Sequence, residues 1–299
     1  MFEVSFRLYK IGGDIMVIGF IGSGKVGFSL GKYFSIKGIS LSGYYSNLYK
    51  DAIEASQFTN SKAYKNINDL ARDSTMIFIT TPDDSIIKVW QKLSTFDLTN
   101  KIICHTSGSL TSSIFLNINN SDALAYSIHP IFAFSDKYNS YKTLQNAFFS
   151  IEGPENYMHE IKDFFKSLGN KTFIINSDNK SLYHLASVTV SNLVLSLISI
   201  GCSYLSKCGL SENDALEALL PLIQNNIDNL KNNGFINALT GPVERNDLGT
   251  IKMHMAALPK EDVELYKNLS LKLLSLSEKK HNNNDYKKLK EYLVTQGGN

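Results

Sequence analysis

The sequence predicts an α/β chain in which a doubly wound, mostly parallel sheet is followed by an all-helical region. Three observations predict it. Near the start, an apolar run suited to a buried strand leads through Gly22-Ser23-Gly24-Lys25-Val26-Gly27 into an amphipathic segment at helical spacing. From Met16 to about Asn176, short apolar runs then alternate with helical stretches. After Ser177 the strand signal stops.

The elements follow in order. Strands are predicted over residues 16–21, 39–45, 75–80, 101–105, 123–128, 148–151 and 172–175, with helices over 26–36, 49–56, 84–93 and 156–168 between them. Residues 181–207 read as one long helix ended by Gly209, and Ser211 opens the next with Asp214 at the capping-box position. Pro221 is expected to kink or split that helix. Further helices are predicted over 250–257, 260–278 and 285–295. The stretch 185–206 holds no charged residue and is long enough for a membrane span. Asn192 and several serines interrupt it, and no basic flank marks a cytoplasmic side, so it reads as a buried helix of a helical domain or a subunit interface.

The whole chain sets the class. Its 299 residues allow one large or two ordinary domains, with 43% hydrophobic and 19% charged residues, as in soluble globular proteins. A net charge of +2 gives no reason to expect nucleic acid or an acidic membrane as partner. Cys104, Cys202 and Cys208 lack metal-ligand spacing and are odd in number. They read as small buried residues in a reduced, cytoplasmic setting, and no metal is expected. Residues 1–15 lack both a clear period and the design of a secretion signal. Gly12-Gly13-Asp14-Ile15-Met16 can be encoded by a ribosome-binding sequence ahead of an ATG. The expected organisation is therefore a non-native or disordered extension over 1–15, a nucleotide-binding domain over 16–178 and a helical substrate and dimerisation domain over 179–299.

The glycine turn carries the first functional expectation. Gly22 permits a tight turn, Gly24 lets a pyrophosphate approach the backbone, and Gly27 lets the helix pack close to the strand. The free amides of Ser23, Lys25 and Val26 at the helix N-terminus suit an anion. Cofactor choice is read at the end of the second predicted strand, where an acid would bind the ribose of NAD. Here stand Ser46 and Asn47, with no acid until Asp51, and Lys50 nearby. This favours NADP, with NAD possible; the two residues could instead start a turn and cap the next helix.

Other strand ends hold further candidates. Thr80, Thr81 and Pro82 are expected on the nicotinamide side, and Asp83 and Asp84 to cap and favour the helix that follows. His105 with Ser107, and His129, end two more strands; histidine exchanges protons near neutral pH, but a structural histidine, or a turn shaped before Pro130, is the plainer reading. His184 and Asn192 lie eight positions apart, on one stripe of the long helix, and serve a substrate or tie helices together. Thr240, Gly241 and Pro242 lead through Arg245 and Asp247 to Thr250 and His254. Arg245 could hold a carboxylate, or pair with Asp247 to stiffen the loop.

These segments together resemble the bacterial Rossmann-like proteins that carry a C-terminal DUF2520 domain, known as NADP-dependent oxidoreductase candidates. The resemblance runs from Met16 to about residue 275. It rests on the glycine turn, Thr81-Pro82-Asp83-Asp84, His105-Thr106-Ser107-Gly108, His129-Pro130 with Phe134, Tyr183-His184 with Asn192, and Leu239-Thr240-Gly241-Pro242 with Arg245, Asp247, Thr250 and His254. Asn47 departs from it where arginine is common after serine, and Asn246 where glycine is common. More distantly the chain is similar to pyrroline-5-carboxylate reductases, ketopantoate reductases, and β-hydroxyacid and prephenate dehydrogenases. The resemblance implies hydride transfer between a nicotinamide and a small carbonyl or imine substrate in an interdomain cleft. His184 would then be proton donor or acceptor, Asn192 an orienting group, His105 and Ser107 contacts, and Arg245 the carboxylate anchor. His129, Thr240, Asp247, Thr250 and His254 would line the substrate, and the helical domain would pair two copies. The lysine used by β-hydroxyacid dehydrogenases is missing. A non-catalytic NADP-binding or sensing protein, or a prephenate-dehydrogenase-like enzyme, remains the alternative.

Overall fold

The computed structural model describes residues 9–295. Residues 10–15, expected as part of a non-native or disordered extension, are ordered and carry the first elements. Strands β1 (Lys10–Ile11) and β2 (Asp14–Ile15) form an antiparallel hairpin. Ile11 is buried, and the Tyr9 ring stands edge-on to Phe164 at 5.6 Å. The expectation for residues 1–8 lies outside the described residues.

Eight further strands make one sheet: β3 (Ile18–Ile21), β4 (Leu41–Tyr45), β5 (Lys62–Tyr64), β6 (Met76–Ile79), β7 (Ile102–His105), β8 (Leu124–Ile131), β9 (Phe148–Glu152) and β10 (Lys171–Ile174). Their order is β10-β9-β8-β7-β6-β3-β4-β5, parallel throughout except where β8 meets β9. Helices α1 (Lys25–Ile36), α2 (Tyr49–Thr59), α3 (Ile67–Arg72), α4 (Asp83–Leu93) and α5 (Met158–Ser167) connect them. Alternation within single strands builds both faces. Met76 and Phe78 of β6 join the core formed with α1, α2 and α5, while Ile77 and Ile79 join that formed with α3 and α4. The sheet is thus doubly wound, and the chain reverses direction across it between β3 and β6. On α4, Trp90 is buried, stands edge-on to Phe115 and donates its indole N–H to Leu116 O at 3.0 Å.

β5 and α3 were not predicted. Each is short, and Lys62 is exposed, so neither presents a sustained apolar period.

Beyond β10 the chain is helical: α6 (Lys180–Val190), α7 (Asn192–Lys207), α8 (Glu212–Ala238), α9 (Leu248–Ala257), α10 (Val263–Lys280) and α11 (Lys287–Thr295). The predicted single helix over 181–207 is broken at Ser191, whose φ and ψ are −112° and −74°. Its hydroxyl donates to Ser187 O at 2.7 Å, a back-bond that bends helices. Nor is this run buried within the chain: Leu182, Leu185, Val190, Leu193 and Leu195 are all at least half exposed. Pro221 does not split α8. The break falls at Gly234, at φ 70° and ψ 173°, a conformation only glycine adopts freely. At Pro221 the bond that proline cannot make would have gone to the carbonyl of exposed Glu217, which water can satisfy. Ser211 caps α8 by accepting from Asp214 N at 3.2 Å. Cys104 and Cys202 are buried as expected, but Cys208 is exposed.

The chain forms two compact units that divide at Val194 and Leu195, within α7. The second has its own core of Val243, Ile251, Leu274, Tyr286, Leu289 and Leu293.

Candidate active site

The glycine turn follows β3 at the point where the strand order reverses. Gly22 has φ 107°, and a Cβ there would lie 3.0 Å from the Thr80 carbonyl carbon and the Thr81 nitrogen. A Cβ on Gly27 would come within 2.3 Å of Thr80 Oγ1 and 2.5 Å of Gly22 O, so the helix can sit this close only with glycine there. Gly24 is the opposite case, since among the described residues a Cβ would meet nothing within 4 Å. Close packing explains Gly22 and Gly27; open space in front of Gly24 suits an incoming group. Thr80 closes the turn by donating to Gly22 O at 2.8 Å.

One pocket brings together Gly22, Ser23, Gly24, Ser46, Asn47, Thr80, Thr81 and Pro82. Lys25 and Val26 occupy the first turn of α1, which carries no acid and no side-chain cap. Its N-terminal amides and dipole are therefore unopposed. Thr81 Oγ1 is buried without a hydrogen-bond partner among the described residues. An orphaned hydroxyl, free amides and a cleared backbone fit a dinucleotide diphosphate. Ser46 and Asn47 do not cap α2; its N-cap is Leu48, with no side-chain cap bond.

Asp83 and Asp84 both lie in the first turn of α4, as expected, but neither caps it. Pro82 is the N-cap of α4 without a side-chain bond, and Asp83 instead accepts from Ser107 Oγ at 2.7 Å and Ser109 Oγ at 2.9 Å. Ser107 Oγ accepts in turn from the amides of Ser109 and Leu110, at 3.2 and 3.1 Å. This ties the loop after β7 to the start of α4. Both ring nitrogens of His105 are engaged. Nε2 lies 3.1 Å from Thr111 O, Nδ1 accepts from Ser107 N, and burial pushes its pKa down to about 4.

His129 stands in β8 rather than at a turn. Its strand continues to Ile131, and past Ser127 it pairs only with β9, which leaves room for Pro130. His129 Nδ1 lies 2.5 Å from Tyr183 Oη, and the His129 and His184 rings are 6.4 Å apart. Both histidines face Gly108: a Cβ there would lie 2.6 Å from His184 Nδ1 and 2.9 Å from His129 Nε2. His184 Nδ1 is buried and, among the described residues, has no hydrogen-bond partner. Asn192 is exposed, and its Oδ1 lies 3.0 Å from Ser191 Oγ, whose hydrogen goes to Ser187 O. The break at Ser191 removes the regular helical stripe that was to join it to His184.

Lys180 was missed in the sequence. It is 1% exposed, donates to Ser127 Oγ at 2.7 Å, and has a pKa pushed down by burial to about 8. A lysine opening a helix reads as a solvated flank, so no sequence signal separated it from the others.

In the second unit, Asp247 caps α9, accepting from Thr250 N at 2.9 Å and Thr250 Oγ1 at 2.7 Å. Those bonds, the backbone one foremost, hold its carboxyl below the usual range. Among the described residues Arg245 makes no ion pair and is exposed, so Asp247's cap rather than an Arg245–Asp247 pair stiffens the loop. Thr240 is exposed as well. His254 Nδ1 lies 2.8 Å from Tyr266 Oη and lines an apolar cavity of about 470 Å³ with Tyr204, Lys207 and Cys208. Among the described residues no group of three His, Cys, Asp or Glu is placed to hold a metal ion.

Comparison with known proteins follows the same division. Protein TM1727 from Thermotoga maritima shares 24% identity over 88% of this chain and 99% of its own, with a TM-score of 0.70. BF3122 from Bacteroides fragilis, described as an NADP oxidoreductase candidate, shares 20% over 90% and 98%, with a TM-score of 0.66. Pyrroline carboxylate reductase from Plasmodium falciparum, solved with NADP bound, shares 15% over 89% and 97%, with a TM-score of 0.60. At these identities the likeness is one of fold. Comparison with curated proteins finds no match. Residues 10–130 match the Rossmann-like domain and residues 147–273 the domain of unknown function DUF2520, and the chain is a Rossmann-like protein with a DUF2520 domain.

Proposed function

We propose that the chain is an NADP-dependent oxidoreductase acting on a small carbonyl or imine substrate that bears a carboxylate. The observation that carries this reading is the cleared space at Gly24, beside the uncapped N-terminus of α1 and the orphaned Thr81 hydroxyl. When bound there, the cofactor would supply the hydride chemistry. The amides of the glycine turn would hold its diphosphate, and Ser46 and Asn47, with no acid beside them, leave room for a 2′-phosphate. The NADP-bound structural neighbour supports the same preference. Thr81 and Pro82 would border the nicotinamide. His184, with its unpartnered Nδ1, would exchange the substrate's proton. Arg245 would anchor a carboxylate and Asn192 orient the reacting atom.

The helical unit supports pairing with a second copy. Leu195, Leu220, Leu222 and Phe235 are each more than half exposed, more apolar surface than a lone soluble chain ordinarily leaves in water. Sedimentation should show a dimer; a monomer at all concentrations would refute the pairing.

Calorimetry tests the central claim. NADP should bind at least about tenfold more tightly than NAD, a difference of about 1.4 kcal/mol. Gly24→Val should abolish this binding while leaving the melting temperature unchanged, because the side chain enters open space. Binding of neither nucleotide would end the redox reading. On a substrate found by screening, His184→Ala should lower kcat by about 10²-fold or more.

A further inference from the structure

His129, Tyr183 and Lys180 form an arrangement that the binding of a nucleotide does not require. Two imidazole nitrogens, His184 Nδ1 and His129 Nε2, converge over Gly108, where a Cβ would lie within 3.0 Å of both. Among the described residues neither nitrogen has a hydrogen-bond partner. Behind His129, Tyr183 Oη contacts Nδ1 at 2.5 Å. Behind Tyr183, the Lys180 ammonium sits 5.4 Å from the ring centroid.

We infer that His129 presents a protonated Nε2 over Gly108 as a hydrogen-bond donor to the substrate's reacting oxygen or nitrogen, with Tyr183 fixing that tautomer and Lys180 acting as its positioning charge. What lies over Gly108 rests on the oxidoreductase reading; the tautomer does not.

The proposed proton assignment has Tyr183 Oη as donor and His129 Nδ1 as acceptor. Burial pushes the Tyr183 phenol up, so it keeps its proton and can donate. His129 is pushed down to about 4, first by burial and then by the Lys180 and His184 charges, with His105 adding to them and Asp83 opposing. It is therefore neutral at neutral pH. A neutral imidazole that accepts at Nδ1 carries its hydrogen on Nε2.

Lys180 is a costly feature for packing alone. It is 1% exposed, and Ser127 Oγ is its only hydrogen-bond acceptor among the described residues. Asp83 and Glu152 face it, but Asp83 is held by Ser107 and Ser109, and Glu152 by Ser112, and neither reaches ion-pair distance. A buried ammonium without a contacting carboxylate is rare. Here its charge disfavours imidazolium at His129. Ser127, which accepts this hydrogen bond, donates to Ser107 O at 3.3 Å and so fixes the turn that carries Gly108.

Nitrogen-15 NMR of the histidine rings, on the full-length protein without cofactor, tests this directly. The expected result at pH 7 is a protonated Nε2 and a bare Nδ1 at His129, titrating below pH 5. A protonated Nδ1 with a bare Nε2 would overturn the inference, and this measurement needs no variant. Tyr183→Phe should mix the two tautomers. Lys180→Met should raise the His129 midpoint by about one unit or more, and Lys180→Arg should not. An unmoved midpoint in a folded Lys180→Met protein would remove Lys180 from the scheme. Failure to bind NADP would leave all these readouts intact, so the two readings fail separately.

Discussion

Phe28, Phe34 and Phe78 of the first unit are fully covered, whereas Phe235, Leu222 and Leu220 of the second are 68%, 58% and 52% exposed. Both units draw on the same apolar residue types; the difference lies in what covers them. A twisted sheet gives each helix of the first unit a face to lie on, so a single chain closes its own core. The second unit has helices only, and its buried cluster is small. Its apolar faces stay open, as do Leu182, Leu185 and Val190 on α6 of the first unit. Both units bury a lysine: Lys180 in the first donates to Ser127, and Lys267 in the second pairs with Glu264 at 2.9 Å.

Three measurements would break or sharpen this contrast. The largest effect should come from Phe78→Ala, which removes a ring packed on Phe20 and Phe34 and should cost about 4 kcal/mol at any protein concentration. Phe235→Ala should instead lower the melting temperature only where copies associate. A concentration-independent loss at Phe235 would refute the covering role. Next comes acid. His105 has a folded pKa of about 4 against about 6.5 unfolded, so its contribution is present above pH 6.5 and lost as pH falls toward 4. That loss should reach about 3 kcal/mol. Urea titrations at pH 7 and pH 4.5, read by circular dichroism, should show the first unit weakening; a flat profile would contradict a neutral buried His105. The smallest effect is Asp247→Ala in the second unit. Loss of the cap on α9 should cost about 1 kcal/mol, measurable in the same titration.

Much of the sheet was legible because its strands are buried on both faces and read as apolar runs bounded by turns. The glycine turn was legible for a local reason as well: Gly22 and Gly27 answer close packing, and Gly24 keeps open space. β5 and α3 escaped because short elements carry too few residues to show a period. The helix break at Ser191 escaped because serine is tolerated in helices, and Pro221 misled because an exposed proline can be absorbed where water satisfies the freed carbonyl. In the site, His184 and His129 were visible as residue types at strand and helix ends. Their convergence on Gly108 was not, since it joins β8, α6 and the loop after β7. Lys180 shows the limit most plainly, because burial, not identity, gives a lysine its meaning.

Trp90 is the chain's one tryptophan, and it lies on α4, whose residues Ser85 and Val89 border the glycine-turn pocket. Its emission therefore has a single origin. A reduced nicotinamide absorbs light of the colour an indole emits, so occupancy of that pocket would quench this one lamp, and a titration could be followed without any label.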